Sequence, residues 1–163
     1  MTVTLREASA EDAADISDIH NQGILDRVAT LDVTTRTPEG VADWLAGHGP
    51  RHPVIVATAE GTVVGWASLN QFNPRPAYDH VADFSVYVHR AWRGKGIGGQ
   101  LLDRLIDLAR GIGFHKMVLS ALASNEAGIA LYMRAGFSTV GIYREQGLID
   151  GTWVDTIIME KLL

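Results

Sequence analysis

The sequence predicts one α/β domain in which seven strands and four helices share a hydrophobic core. Strand and helix patterns alternate along the chain in the order strand, two helices, three strands, helix, strand, helix, two strands. The 163 residues, 47% of them hydrophobic, suffice for one core and leave little room for a second, so we expect a single domain over residues 1–163. A glycine-rich turn joins the middle strand to the middle helix and is the most informative stretch.

The first third of the chain predicts a strand, a helix, a loop and a short helix. Val3 and Leu5 indicate the strand, and Ser9-Ala10-Glu11-Asp12 is a helix-start signal. Residues 26–36 are polar and β-branched, so we interpret them as a loop that edges a pocket. Thr37-Pro38-Glu39 then begins the short helix.

Two more strands follow as a hairpin. Residues 53–57 and 63–69 are rich in β-branched side chains and flank a Glu60-Gly61 turn. Residues 71–79 form a long loop broken by prolines, a kind of segment that often carries binding groups.

The middle segment spans residues 83–112 and contains strand, turn and helix. Phe84, Val86 and Val88 alternate with polar or amphipathic residues, which is the two-residue period of a strand. Apolar residues then recur at helical spacing up to Ile112. These two patterns place the glycine run Arg93-Gly94-Lys95-Gly96-Ile97-Gly98-Gly99 at the start of a helix.

This glycine run predicts a phosphate or pyrophosphate site. Without Cβ atoms the backbone can approach a ligand closely, and a helix N-terminus offers unpaired N–H donors and partial positive charge. Arg93 and Lys95 add two cations. A dinucleotide fingerprint is disfavoured because a polar run, 89–93, separates strand from turn and the next strand ends in Ser120-Ala121 without an acid. A Walker loop is disfavoured because glycine follows Lys95.

The C-terminal third predicts a strand, a helix and a final hairpin. Residues 116–121 form the strand, and the helix starts at a Ser124 cap and ends at Gly136. The last strands cover 138–143 and 153–159.

Composition excludes several classes of function. A net charge of −5 disfavours nucleic acid as a partner. The absence of cysteine excludes a disulfide framework, a thiolate metal site and a cysteine-linked acyl intermediate. His48 and His52 are separated by the helix breaker Gly49-Pro50, so we expect no metal. With no signal peptide and no long apolar run, we expect no membrane contact and a cytoplasmic protein.

Two motifs resemble those of the GNAT superfamily of N-acetyltransferases. Arg93-x-x-Gly96-x-Gly98 after the strand Val86-Tyr87-Val88 is similar to its acetyl-CoA-binding motif, and residues 125–137 are similar to its later helix. The resemblance implies a mixed, mostly antiparallel sheet flanked by helices, with parallel strands that splay apart around acetyl-CoA. It also implies a cofactor-binding set, which is Tyr87, Val88, Arg93, Gly94, Lys95, Gly96, Ile97, Gly98 and Asn125.

Acetyl transfer to an amine requires a base, oxyanion donors and an acid for the leaving thiolate. We expect Asp83 to be the base, acting directly or through a bridging water, and the alternative is that it is a solvated edge residue. The resemblance implies that N–H groups around Tyr87 and Val88 polarise the thioester and that Tyr132 is the acid. Tyr132 could instead be a core residue, and Asn125, which the resemblance places on the pantetheine arm, could be a helix cap.

The acceptor is inferred from resemblance to the phosphinothricin, arsinothricin and methionine sulfone or sulfoximine branch, carried by segments 74–78, 143–147 and 151–155. That resemblance implies acetylation of a small amino acid's α-amine, resistance to such toxins, and a homodimer. Because the chain has no cysteine, we expect the transfer to be direct or to use another nucleophile. Arg75 would hold the carboxylate, and Tyr78 or Asn73 the side-chain oxyacid, unless Arg75 binds nothing. The alternatives are another amine (a protein N-terminus, a polyamine or an aminoglycoside) or a non-catalytic acetyl-CoA sensor.

Overall fold

The computed structural model describes residues 2–27 and 30–163, and within them the order of elements is the predicted one. The helices are α1 (Ala13–Asp26), α2 (Pro38–Gly47), α3 (Ile97–Ile112) and α4 (Glu126–Arg134). The strands are β1 (Val3–Glu7), β2 (Val54–Ala59), β3 (Thr62–Gln71), β4 (Val81–Val88), β5 (Lys116–Leu122), β6 (Ser138–Ile149) and β7 (Thr152–Leu162).

All seven strands lie in one sheet, in the order β1-β2-β3-β4-β5-β7-β6. Every neighbouring pair is antiparallel except β4 and β5, so the mixed, mostly antiparallel sheet is confirmed. The parallel pairing is short: it runs from Val81 opposite Lys116 to Asp83 opposite Val118. Beyond that point β4 stays on β3 and β5 stays on β7, which confirms the expected splay.

The sheet separates two apolar layers. On one face α3 and α4 pack over the central strands, with Leu101 and Met117 completely buried. On the other face α1 and α2 cover the side chain of Trp66. Because side chains alternate along a strand, Phe84 of β4 packs in the first layer and Tyr87 in the second.

The glycine run turns the chain from β4 into α3 as predicted. Gly94 and Gly96 have φ angles of 76° and 80°, in the left-handed region that side chains with a Cβ rarely adopt. The helix begins at Ile97, so Gly98 and Gly99 lie in its first turn.

Some boundaries in the C-terminal third differ from the sequence prediction. β6 extends to Ile149 because its hairpin with β7 pairs up to the turn at Asp150-Gly151, despite irregularities in register. β7 extends to Leu162 because its last residues pair with β5. The expected Ser124 cap is wrong by one residue: Asn125 is the N-cap of α4, and its Oδ1 accepts from the Gly128 N–H at 3.0 Å.

Candidate active site

A cleft of about 510 Å³ opens where β4 and β5 separate. The glycine run forms one wall, α4 forms the opposite wall, and the last residues of β4 form the floor. All but one of the residues expected to bind the cofactor line it: Tyr87, Val88, Arg93, Gly94, Gly96, Ile97, Gly98 and Asn125. The remaining one, Lys95, lies in the same turn, with its Nζ 5.3 Å from the centre of the Trp92 ring.

The turn at the mouth of this cleft has the features of an anion site. The first intrahelical bond of α3 runs from Gln100 N to Gly96 O, so the amides of 97–99 have no acceptor within the helix. These donors and the helix dipole favour a phosphate.

The positive charge of the arginine side chains near this turn is partly neutralised by an aspartate. The sequence did not indicate this pairing. Arg93 Nη1 lies 2.9 Å from Asp26 Oδ2, and Arg90 Nη2 lies 2.8 Å from Asp26 Oδ1. One carboxylate at the end of α1 therefore faces two of the cations near the phosphate site.

Asn125 caps α4 through Gly128, which was the alternative role that its sequence position allowed, and it also lines the cleft. Its contact with the pantetheine arm stays a prediction. Gly128 is needed for this arrangement because a Cβ there would lie only 2.8 Å from Asn125 Cγ.

The β4 backbone supplies directed donors to the splayed edge. His89 N donates to Val64 O on β3, and antiparallel partners alternate along a strand, so the odd-numbered amides of β4 face β3. The even-numbered amides, including that of Val88, face the open side beyond the last β4–β5 pair. The amides of Tyr87 and Val88 were both expected to polarise a thioester. In this register only the Val88 amide points to the cleft.

A second, smaller cleft of about 230 Å³ lies deeper in the splay. It shares Val86, Tyr87 and Tyr132 with the first cleft, so the two form adjacent chambers. The other lining residues are Thr30, Leu31, Asp83, Phe84, Ser85, Leu119, Ser120, Ala121 and Leu122.

Asp83 is an ionisable group in a largely dehydrated position of this second chamber. Burial raises the pKa of Asp83 from 3.8 to about 6, against the opposing effect of a hydrogen bond from the Phe84 N–H. No salt bridge to Asp83 occurs within residues 2–27 and 30–163. A carboxylate with this pKa is ionised at neutral pH and basic enough to accept a proton.

Tyr132 of α4 lies between the two chambers. Burial raises the pKa of Tyr132 to about 12, and the negative forms of Tyr87 and Asp83 add to the shift. The ring also packs edge-on against Phe84, with centroids 5.8 Å apart. Tyr132 is therefore both a core residue and a protonated phenol next to the Asp83 chamber.

The sequence did not indicate the side chain of Tyr87 as a site residue. It stacks on Trp66 at 4.9 Å and meets the His20 ring edge-on at 5.0 Å. Burial raises the pKa of Tyr87. Its two-residue spacing from Ser85 and Asp83 was the available signal, because alternate residues share a face of a strand.

The loop that follows α1 edges the second chamber, as expected, through Thr30 and Leu31. Residues 28 and 29 of this loop lie outside the described residues. His20 anchors the loop: its Nε2 lies 3.1 Å from Asp32 Oδ2, and burial lowers the pKa of His20. This contact gives the buried His20 a structural role.

The three residues expected to hold the acceptor lie apart from Asp83 within one chain. Asn73, Arg75 and Tyr78 belong to the exposed loop between β3 and β4, and they are not among the described lining residues of either chamber. Asn73 Oδ1 accepts from Arg75 N at 2.9 Å, and the Tyr78 ring packs against Phe72. Their binding role stays a prediction.

The side chains and helices of residues 2–27 and 30–163 form neither a candidate metal site nor a membrane span. Across residues 2–27 and 30–163, no group of three or more His, Cys, Asp or Glu side chains is arranged to hold a metal ion. None of the helices in this part of the chain has the length and apolar character needed to span a bilayer.

Two comparisons with known proteins, one with a family model and one with a relative, agree on the family. The model of the "Acetyltransferase (GNAT) family" matches residues 21–137. The chain is 35% identical to the L-methionine sulfoximine/L-methionine sulfone acetyltransferase of Salmonella typhimurium, over 99% of this chain and 95% of that protein.

Two solved structures superimpose closely on this fold. A phosphinothricin acetyltransferase from Sinorhizobium meliloti, solved with acetyl-CoA, has a TM-score of 0.94 and 34% identity, covering 100% of this chain and 89% of that one. A ribosomal-protein-alanine N-acetyltransferase from Brucella melitensis has a TM-score of 0.95 and 35% identity, covering 98% and 99%.

Proposed function

The chain belongs to the GNAT family of acetyltransferases, and we propose that it acetylates the α-amino group of a small amino acid or amino-acid-like toxin. Membership confirms the expected enzyme class and the expected cosubstrate, acetyl-CoA. It also favours an enzyme over a non-catalytic sensor. The finer proposal names an acceptor of the phosphinothricin, arsinothricin or methionine sulfone and sulfoximine type.

The observation that carries this proposal is the second chamber, which Asp83 lines and which adjoins the cofactor cleft at Tyr87 and Tyr132. Its volume of about 230 Å³ equals that of roughly eight liquid waters at about 30 Å³ each, which suits an amino-acid-sized acceptor. Full-length similarity to an acetyltransferase named for amino-acid substrates supports an acceptor of the same size.

The chemistry assigned to these residues is direct transfer. Acetyl-CoA, bound along the glycine run, supplies the thioester. Asp83 accepts the proton of the acceptor ammonium, so that the neutral nitrogen attacks the thioester carbonyl carbon while the Val88 N–H stabilises the oxyanion. The carbon–sulfur bond then breaks and Tyr132 gives its proton to the departing thiolate. The second proton that the nitrogen loses as the amide forms returns to the Tyr132 phenolate, directly or through water. The chain has no cysteine, which favours transfer without a thiol-linked acyl enzyme.

Arg75 remains our proposed partner for the acceptor carboxylate, with Tyr78 or Asn73 at the side-chain oxyacid. None of the described lining residues of the second chamber is a cation, so a carboxylate must find its positive partner elsewhere. The loop that holds Arg75 leads directly into β4 and Asp83. Movement of this loop, or its equivalent from a second subunit, would bring the guanidinium to the chamber.

A second candidate acceptor is a protein N-terminal alanine. The Brucella structure named for that activity is as similar to this chain as the amino-acid enzymes are. An alanine at a chain end presents the same small α-amine but has an amide in place of the carboxylate, so it does not require Arg75.

Thiol release from acetyl-CoA distinguishes these acceptors. The panel comprises L-phosphinothricin, L-methionine sulfone, L-methionine sulfoximine and arsinothricin, with an Ala-initiated peptide, spermidine and an aminoglycoside as rivals. We expect the free amino acids to have kcat/KM at least about a hundredfold above the peptide, because Arg75 pairs only with a carboxylate. A faster reaction with the peptide would contradict the proposal and favour the second candidate.

We also propose that the protein is a homodimer and that the β6–β7 face is the interface. β6 is an edge strand of twelve residues, and long edges with apolar side chains readily associate. The exposed apolar side chains on the two strands include Val140, Ile142, Leu148 and Trp153. A cytoplasmic location and a role in resistance to amino-acid toxins complete the proposal.

A further inference from the structure

The second chamber, which we propose for the acceptor, has one aliphatic lining residue that the sheet does not supply. The other aliphatic residues among its described lining belong to β4 or β5 and are fixed by strand pairing: Val86, Leu119, Ala121 and Leu122. Leu31 comes instead from the loop after α1. Its side chain is 41% exposed, so the core alone does not hold it in place. The contacts of Leu31 therefore decide how much room an acceptor has on this side.

Leu31 is seated in a notch on β6. A Cβ at Gly147 would lie 2.7 Å from Leu31 Cδ2, so this methyl group occupies the space that any other side chain at position 147 would fill. Val154 lies beside the notch, with its Cγ2 3.2 Å from the same point. The loop backbone next to Leu31 is held by the contact of Asp32 with His20. Gly147 therefore fixes the position of the side chain, and Asp32 that of the backbone.

A bulge in β6 creates the notch. Between residues 143 and 147, β6 advances four residues while its partner β7 advances two. Glu145 within this bulge has a φ of 51°, and Asp155 Oδ1 accepts a hydrogen bond from the Glu145 N–H at 2.7 Å. The extra residues shift the register so that Gly147 pairs with Val154 on the face of the sheet that contacts Leu31.

We propose that Leu31 is a specificity-determining residue and that the notch at Gly147 sets the largest side chain that the second chamber accepts. The proposal rests on the proposed function. With its methyl group seated at Gly147, Leu31 lines the chamber and excludes acceptors whose side chains exceed the remaining space. A shorter residue at position 31 admits a larger acceptor, and a filled notch displaces Leu31 and changes the limit.

The notch is separate from the proposed dimer interface. The next pair along the hairpin after Gly147 and Val154 is Leu148 with Trp153. Neighbouring residues of a strand point to opposite faces of the sheet, so Leu148 and Trp153 point away from Leu31. Substitutions at the notch therefore test the chamber and not the assembly.

The first experiment needs no acceptor. Nuclear magnetic resonance of protein with labelled methyl groups would detect the contacts of Leu31 with Gly147 and Val154, and Gly147→Ala should shift the Leu31 methyl resonances. Gly141→Ala on the same strand is the matched control and should leave them unchanged, because no described atom lies within 4 Å of a Cβ there. Identical Leu31 spectra in the wild type and Gly147→Ala would overturn the proposal, whatever the enzyme acetylates.

The second experiment compares kcat/KM for L-methionine sulfone and for L-ethionine sulfone, which is longer by one methylene group. One methylene in an apolar pocket is worth about 10–200-fold, so the wild type should prefer methionine sulfone by at least about tenfold. Leu31→Ala should reduce this preference at least about fivefold, because it leaves room for the added methylene. Leu25→Ala, at an exposed leucine outside the described lining of both chambers, should keep the wild-type preference. A preference that Leu31→Ala leaves unchanged would overturn the proposal.

A double substitution tests whether Gly147 acts through Leu31. Gly147→Ala should change the preference between the two sulfones at least about threefold in the wild-type background and leave it unchanged in the Leu31→Ala background, where no methyl group fills the notch. Thermal unfolding would show that each variant is folded. An equal effect in both backgrounds would mean that Gly147 acts by another route, and the proposal would be overturned.

Failure of the proposed function has a different signature. Acetylation of the Ala-initiated peptide and of no free amino acid would reject the amino-acid acceptor, with Leu31 still seated at Gly147 in the spectra. Acetylation of both sulfones with equal kcat/KM by the wild type would instead reject the role of Leu31 and leave the proposed function standing.

Discussion

At the residue scale, the burial of Asp83 favours its function as a base but lowers the stability of the fold. Its carboxyl is largely buried, so its charged form is poorly solvated even though it accepts a hydrogen bond from the Phe84 N–H. The same dehydration raises its pKa to about 6 and makes it a better proton acceptor than an exposed aspartate. A base placed in this way destabilises the fold whenever it is ionised.

The Asp83→Asn variant should lose about 10²–10⁴-fold in kcat at pH 7.5, the usual contribution of a general base. The loss should shrink as pH rises, because more of the free amine is already neutral. Steady-state kinetics from pH 6 to pH 10 would measure this. Full kcat across that range in a folded variant would reject Asp83 as the base, and His80 or His89 would be tested next.

The same substitution should raise the free energy of unfolding above pH 6. Because the folded-state pKa of Asp83 is higher than the unfolded value of 3.8, its stabilising contribution is complete below about pH 4 and is lost as pH rises through 6. Two pKa units correspond to up to about 3 kcal/mol. Urea unfolding of both proteins at pH 4 and pH 8 would test this: the variant should gain on the wild type only at pH 8.

Tyr132→Phe should separate chemistry from binding. The phenol stays protonated at neutral pH, since burial raises its pKa to about 12, and only the hydroxyl is removed. We expect kcat to fall by about tenfold, while KM for acetyl-CoA stays constant. This loss is smaller than the usual contribution of a general acid, because water can protonate the thiolate instead. A large increase in that KM would indicate that Tyr132 mainly shapes the cleft.

At the element scale, the start of α4 couples helix stability to cofactor binding. Gly128→Ala should force the Asn125 side chain off the cap, since the new Cβ would lie 2.8 Å from its Cγ and closer still to Nδ2. The loss of a cap costs about 1 kcal/mol, and displaced Asn125 should raise KM for acetyl-CoA severalfold. Thermal unfolding and cofactor kinetics would measure both effects.

Gly111→Ala on α3 is the matched control for this experiment. Among the described residues, no atom lies within 4 Å of a Cβ at Gly111, and the residue is helical with an ordinary φ. Alanine should therefore stabilise α3 by about 0.5–1 kcal/mol and leave the cofactor kinetics unchanged. Equal behaviour of the two variants would contradict the special role of Gly128.

At the scale of the whole molecule, the proposed dimer predicts which surface substitutions change the assembly. Light scattering of the wild type should give twice the mass of the 17.7 kDa chain. Ile142→Glu on β6, where the side chain is 58% exposed, should yield monomers because a buried unpaired charge at an interface is costly. Leu25→Glu, on a comparably exposed leucine of α1, should remain dimeric. A monomeric wild type at micromolar concentration would reject the interface.

Local patterns in the chain were enough to predict the order of elements and the cofactor turn. Gly94 and Gly96 can adopt positive φ without steric cost, and the apolar period of α3 fixes which of its faces is buried. Alternation along β4 likewise assigned Asp83 to a face of the sheet. These features could be predicted because each depends on residues close together in sequence.

The meeting of these residues in one site depends instead on the packing of the fold. The splay after Asp83, the approach of Tyr132 from α4 and the pairing of Asp26 with Arg93 join parts of the chain that are far apart in sequence. No local pattern encodes such contacts, because they depend on how layers pack across the sheet.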